Sequence, residues 1–140
     1  MEAKVIWNDG MSFTAKLDGF DIIIDADENV GGENLGPRPK GLTLISLAGC
    51  TGMDVISILK KMRINVDSFE VSTEASLTEE HPKRFKSIKL IYEFKGTDIP
   101  LDKVKKAVSL SEERYCGVSE TLKPKVEITN EIRINGKTTD

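Results

Sequence analysis

The stretch from Arg38 to Met62 constrains this chain more than any other. It reads Arg-Pro-Lys-Gly-Leu-Thr-Leu-Ile-Ser-Leu-Ala-Gly-Cys-Thr-Gly-Met-Asp-Val-Ile-Ser-Ile-Leu-Lys-Lys-Met. Pro39 suits the first turn of a helix. Leu42, Ile45, Ala48 and Gly49 fall on one face, and Val55, Ile58, Leu59 and Met62 continue an apolar surface. Lys60, Lys61 and Arg63 sit where cations complement the carbonyl end of the dipole. The predicted helix is apolar on most faces, so it must be covered on most sides. One chain of 140 residues with a single such helix has little material for that. A thiol, Cys50, lies in its middle. Gly49 and Gly52 beside it predict a kink or a close approach by another element.

Residues 41–59 approach membrane-spanning length. However, three glycines, Thr43, Ser46, Thr51, Ser57 and Asp54 interrupt them and interfacial aromatics are missing, so the expectation is a buried helix and no membrane partner. The opening Met1-Glu2-Ala3-Lys4-Val5-Ile6 has no basic segment before an apolar one, which points to the cytoplasm, where thiols stay reduced. A net charge of −3 argues against nucleic-acid binding, which needs a basic field to neutralise phosphates. The length fits a single domain over residues 1–140.

Around the helix the chain alternates. Residues 3–9 and 11–17 read as strands around Asp9-Gly10, a hairpin signal. A third strand, 20–24, follows Asp18-Gly19. Residues 26–39 form a long polar loop, either mobile surface or functional. Phe69, Val71, Thr73, Ala75 and Leu77 alternate with polar residues, as do Ile88, Leu90, Tyr92 and Phe94, and Glu79-Glu80-His81-Pro82-Lys83 turns between them. Pro100 starts a second, amphipathic helix with Leu101, Val104, Ala107, Val108 and Ser111 on one face. It is predicted to run to Tyr115-Cys116, with Gly117 as its C-terminal cap and one further turn over 119–122. Val126, Ile128, Ile132 and Ile134 mark a last strand, after which residues 135–140 are expected to fray. The order β-β-β-α-β-β-α-β predicts an α+β domain with mostly antiparallel sheets.

Two cysteines and one histidine make no standard zinc site, so a structural metal is not expected. Cys50 reads either as a buried space-filling thiol or as a nucleophile, which needs a cation, a dipole or a donor to hold its thiolate. Arg38 lies twelve residues away, about 18 Å along an unbroken helix, so a bend or a partner subunit must bring it to Cys50. Cys116, at a predicted helix C-terminus facing carbonyls, is the poorer nucleophile; it suits a resolving thiol or an inert one. Asp54 follows Cys50 by one turn, and His81 reads as a solvated turn residue. Gly31-Gly32-Glu33-Asn34-Leu35-Gly36 lacks the pattern of a phosphate cradle.

Gly36-Pro37-Arg38-Pro39, Gly49-Cys50-Thr51-Gly52-Met53-Asp54-Val55, Glu80-His81-Pro82 and Tyr115-Cys116-Gly117-Val118-Ser119-Glu120-Thr121-Leu122, in this order, resemble the OsmC/Ohr family of thiol-dependent peroxidases, in its OsmC-like branch. The resemblance spans nearly the whole chain. It implies an intertwined homodimer in which sheets from both chains wrap two long central helices. It implies that Cys50 is the peroxidatic cysteine, Cys116 the resolving cysteine and Arg38 a stabiliser of thiolate or peroxide. The implied reaction reduces organic hydroperoxides, in oxidative-stress defence, through a Cys50 sulfenic acid and a Cys50–Cys116 disulfide. A dithiol, in known members a lipoylated protein, restores the thiols, and no metal, flavin or haem is implied. The chain departs from the family at Gly41, where a glutamate commonly helps to position the arginine; Glu33 and Asp54 are the candidates to replace it. The alternative is a non-catalytic dimer that binds a hydrophobic small molecule on the same fold.

Overall fold

The computed structural model describes residues 1–139. It has two sheets and a long helix, in two compact units, residues 1–45 and 46–140. The first unit holds a three-stranded antiparallel meander, β1 (Ala3–Asp9), β2 (Ser12–Leu17) and β3 (Phe20–Ile24), in the order β1-β2-β3. Gly10 and Gly19 adopt positive φ in the two turns, as tight hairpins require. Every residue of β1 is exposed, including Val5, Ile6 and Trp7, and β3 buries only Ile24.

The loop over residues 26–39 is organised by two side chains. Asp25, buried, accepts the amides of Ala26, Glu33 and Leu35 at 2.7, 3.1 and 3.2 Å. Burial works against its charge. The amides of Leu35, Ala26 and Glu33 and the nearby Arg38 outweigh burial and hold its carboxyl below the usual range. Gly36 lets the chain pass against β3: a Cβ there would lie 2.0 Å from the carbonyl oxygen of Ile23.

The long helix α1 (Pro39–Lys61) runs without a break, so Gly49 and Gly52 produce no interruption. Gly52 faces the second sheet at ordinary contact distance. A Cβ on it would meet Val71 Cγ2 at 3.4 Å and Phe69 Cε1 at 3.8 Å, on the neighbouring strand. The buried positions Leu47, Thr51, Val55 and Leu59 recur every four residues as a single stripe. Ile45 and Met53 stay 64% and 78% exposed, so the chain covers one side of a helix that is apolar on several.

The second sheet has the order β4-β5-β6-β7: β4 (Ser68–Leu77), β5 (Phe85–Lys95), β6 (Glu127–Ile134) and β7 (Lys137–Thr139). β4 and β5 form the expected long antiparallel hairpin, and Ile88, Leu90, Tyr92 and Phe94 are fully buried. Phe69 stacks on Phe94 with ring centroids 4.6 Å apart. The pairing is mostly antiparallel, as expected, with one exception at β6, and one expectation, the frayed tail, needs correction. β6 pairs with β5 in parallel, Ser87 opposite Glu127 through Phe94 opposite Ile134. The helical segment between them supplies the long crossover that a parallel pair needs. Residues 135–139 do not fray. Asn135 and Gly136, both at positive φ, turn the chain so that β7 pairs with β6, while Asp140 lies outside the described residues.

Helix α2 (Leu101–Leu110) buries Val104, Ala107 and Val108. It continues as one π-helical turn over Ser111–Tyr115, and a short helix α3 (Gly117–Leu122) follows. Gly117 is therefore the first residue of α3 and not a C-terminal cap.

Candidate functional site: a paired-thiol centre

Cys50 and Asp54 lie four residues apart on α1 and so share a face. Cys116 approaches them from the junction between the π turn and α3. The two sulfurs and a carboxylate oxygen of Asp54 all lie within 4.8 Å of one another. Cys50 and Asp54 are half-buried and Cys116 is buried. Both cysteines are free thiols.

The π turn is pinned on four sides. Ser111, fully buried, donates its hydroxyl to Asp54 Oδ2 at 3.0 Å. Tyr92, buried on β5, donates to Glu112 Oε1 at 3.2 Å. Asn130 Nδ2 on β6 donates to Glu112 Oε2 at 2.8 Å. Lys123 Nζ donates to the Glu112 carbonyl. A π turn inside a helix is a common device at functional sites. Here it rotates the chain so that Cys116 leaves the helix with extended backbone, φ −76° and ψ 98°.

The Cys116 thiol then caps α3, with Sγ accepting the Ser119 amide at 3.3 Å. Cys116 closes the π turn as its C-cap, as the sequence reading has it, and is at the same time the N-cap of α3. The second position brings amide donors, which favour a thiolate. Burial nevertheless dominates and pushes the thiol up to about 11. The Ser119 amide opposes the shift and the neighbouring Cys50 adds to it. Burial likewise raises Tyr92, against a hydrogen bond from Thr51, and the Glu112 charge raises it further. Glu112 is raised by its own burial, against the bonds from Asn130 and Tyr92. The Ser119 hydroxyl is buried without a hydrogen-bond partner among the described residues.

Arg38 belongs to the first unit. Its guanidinium bonds Asn34 Oδ1 at 2.7 Å, the Gly36 carbonyl at 2.9 Å and Asp27 Oδ2 at 3.1 Å. The carboxylate that holds Arg38 is thus Asp27. Of the two sequence candidates, Glu33 offers its backbone amide to Asp25 and Asp54 bonds Ser111. Gly41, in the first turn of α1, has open space where a Cβ would stand. His81 is exposed in its turn. A mostly apolar cavity of about 360 Å³ lies within the first unit, lined by Met11, Phe13, Ile24, Val30, Arg38 and Pro39 among others.

Of the residues singled out in the sequence, the structure brings Cys50, Cys116 and Asp54 together and places Arg38 on the loop of the first unit; Tyr92, Ser111, Glu112, Asn130 and Asp27, which bond around them, were not singled out. One signal was available. A tyrosine in the buried register of β5 has a hydroxyl that must find a partner. Nothing in the local pattern marks a π turn, which places Glu112 inward where an unbroken α-helix would leave it on the polar face.

A two-sheet α+β chain with a thiol on a long helix and a second thiol on a helix junction has the OsmC/Ohr architecture. The family model for OsmC-like protein matches residues 31–131. Protein YhfA of Escherichia coli (strain K12) is 33% identical over 135 residues, which cover 96% of this chain and 98% of that protein. A solved hypothetical protein from Aquifex aeolicus VF5 is 29% identical, with a TM-score of 0.80 over 96% of each chain. OhrB of Bacillus subtilis, an organic hydroperoxide resistance protein, shares the fold at a TM-score of 0.68 and 19% identity, over 94% of this chain and 96% of its own. The chain belongs to the OsmC-like family. By length and composition α1 is apolar enough to cross a membrane, and the chain buries one stripe of it.

Proposed function

We propose that this protein is a cysteine-based reductase of organic hydroperoxides. The observation that carries the reading is the approach of Cys50 and Cys116, which are remote in sequence, to within 4.8 Å of each other and of Asp54. In the proposed cycle the Cys50 thiolate attacks the O–O bond of a lipid or alkyl hydroperoxide. The alcohol leaves with a proton, and Cys50 becomes a sulfenic acid. Cys116 attacks that sulfur, a disulfide forms and water leaves. An external dithiol, such as a lipoylated protein, then takes up the disulfide and regenerates both thiols as it is itself oxidised. The burial that suppresses the Cys116 thiolate supports a first attack by Cys50.

Arg38 is the proposed stabiliser of thiolate or peroxide, oriented by Asp27 and not by residue 41. We further propose a single domain over residues 1–140, cytoplasmic and homodimeric. The exposed apolar residues on α1 and β1, notably Ile45, Met53 and Trp7, support the dimer. The test of the reaction is rapid mixing of reduced protein with tert-butyl hydroperoxide, following thiol loss, with Cys50→Ser as control. Two thiols lost per chain with the wild type, and none with Cys50→Ser, is the expected result. Persistence of both thiols at excess peroxide contradicts the proposal.

The apolar cavity in the first unit favours a second reading, a binder of hydrophobic small molecules. Binding of an acyl or aromatic probe that survives Cys50→Ser, with no peroxide turnover, is the outcome that selects it.

A further inference from the structure

We propose that the reduced centre is also a binding site for a thiophilic divalent cation, zinc above all, with Cys50 Sγ, Cys116 Sγ and an Asp54 carboxylate oxygen as its three protein ligands. Counting cysteines and histidines along the sequence gives no such site. The fold supplies the third ligand by placing Asp54 one turn beyond Cys50, facing Cys116.

Four observations carry the inference. The first is spacing. The three donor atoms lie within 4.8 Å of one another. Zn–S bonds near 2.3 Å and Zn–O bonds near 2.0–2.2 Å give tetrahedral edges of about 3.5–3.8 Å. Shifts of about 1 Å, within the reach of side-chain rotation, therefore close the donors on an ion. The second is donor chemistry: two thiols and a carboxylate suit zinc and leave the fourth position open, as in an exchangeable site.

The third observation is orientation from behind. Ser111 Oγ donates to Asp54 Oδ2 at 3.0 Å, and the Ser119 amide donates to Cys116 Sγ at 3.3 Å. Supporting bonds of this kind hold metal ligands in place, and their loss commonly costs 10–100-fold in affinity. The fourth is access. A cavity of about 280 Å³ opens beside Asp54, between Ser57, Ile58, Lys61, Leu110 and Tyr115. It opens the Asp54 side of the centre to solvent.

The site uses only reduced thiols and does not depend on the peroxidase reading, although it bears on it. An ion held by both sulfurs occupies the lone pairs that would attack a peroxide, so zinc is predicted to be a reversible block on that chemistry. A cell rich in free zinc would hold the centre shut. A two-electron oxidant such as diamide, which is reduced to its hydrazine as the sulfurs join in a disulfide, removes both thiolate ligands and releases the ion.

Cobalt(II) is the probe, titrated into the reduced full-length protein in the absence of peroxide. The expected result is one ion per chain, with tetrahedral visible bands and a thiolate-to-cobalt charge-transfer band that zinc abolishes. Cys50→Ser should lose about half of the charge-transfer intensity. Asp54→Asn, which keeps both thiols and serves if Cys50→Ser misfolds, should weaken binding at least tenfold. Ser111→Ala should weaken it by about tenfold. No cobalt spectrum at millimolar ion, or a spectrum and affinity unchanged in Asp54→Asn, overturns the proposal. Peroxide turnover measured separately in chelator-treated buffer reports on the peroxidase reading alone, so the two can fail independently.

Discussion

Oxidising Cys50 and Cys116 to a disulfide should stabilise the second unit by about 3 kcal/mol. The bridge would close a loop of about 66 residues, for which chain entropy alone gives about 4.4 kcal/mol. Against this stands the bond from the Ser119 amide to Cys116 Sγ, the cap of α3. Turning the sulfur toward Cys50 weakens it, and losing a helix N-cap costs about 1 kcal/mol. The net gain corresponds to a rise in Tm of about 12–24 °C for a unit of this size. Urea unfolding of protein oxidised with diamide, against protein kept reduced, reads the difference, with Cys50→Ser and Cys116→Ser as controls that should not respond. Equal midpoints for oxidised and reduced protein would refute the reasoning. So would a crosslink found only between two chains, because the proximity seen within one chain would then not be what the oxidant captures.

Gly41→Glu should raise stability by about 1 kcal/mol, since a helix-interior glycine is replaced and a carboxylate joins the first turn of α1, where there is open space. If Asp27 already orients Arg38, the same variant should change peroxide turnover by less than about twofold, whereas Asp27→Ala should lower it; the steady-state rates of both variants check this. In Cys50→Ser the remaining thiol, Cys116, loses the raising effect of Cys50 but should still show thiolate absorbance at 240 nm only above the ordinary thiol range, because burial favours its neutral form. Titration at an ordinary thiol pH would show that the amide of α3 dominates instead. Glu131 is held down to about 2 by Lys89 first, then by Arg133 and Thr138. Its folded value lies below the unfolded 4.5, so its bonds contribute stability above about pH 4.5 that is lost as pH falls toward 2. Glu131→Gln should flatten the acid limb of the unfolding curve over that window.

The strands and the long helix were legible because their patterns are local. Ile88, Leu90, Tyr92 and Phe94 alternate over a buried face, and Pro39 with Lys60 and Lys61 marks the two ends of α1. What the pattern could not carry was pairing. β6 alternates as an antiparallel strand would, and its parallel alignment with β5 depends on the length of the crossover between them. The tail after Ile134 looked too short and polar to be ordered. It is held by a turn in which the Asn135 side chain accepts the Gly96 amide at 3.0 Å and donates to the Gly96 carbonyl at 2.9 Å.

At the site, the thiols were visible as residues but their support was not. Ser111 continues the apolar face of α2, and nothing at that position announces a bond to Asp54 across 57 residues of sequence. Cys116 shows the same limit in another form. Its thiol was expected to be a weak nucleophile because of helix carbonyls. In the structure it is burial that pushes this thiol up, against the amide of a different helix. Arg38 needed a carboxylate, and the loop supplied Asp27 eleven residues upstream, where no helical or strand periodicity links the two.

The most direct test of the account is to find where the electrons go when the reduced protein meets an organic hydroperoxide. Wild-type protein quenched after substoichiometric cumene hydroperoxide and digested without reductant should yield one peptide pair joined through Cys50 and Cys116, with one alcohol formed per disulfide. Cys116→Ser should trap a sulfenic acid at Cys50 alone. Unmodified thiols, or oxidation that begins at Cys116 while Cys50 stays reduced, would contradict it.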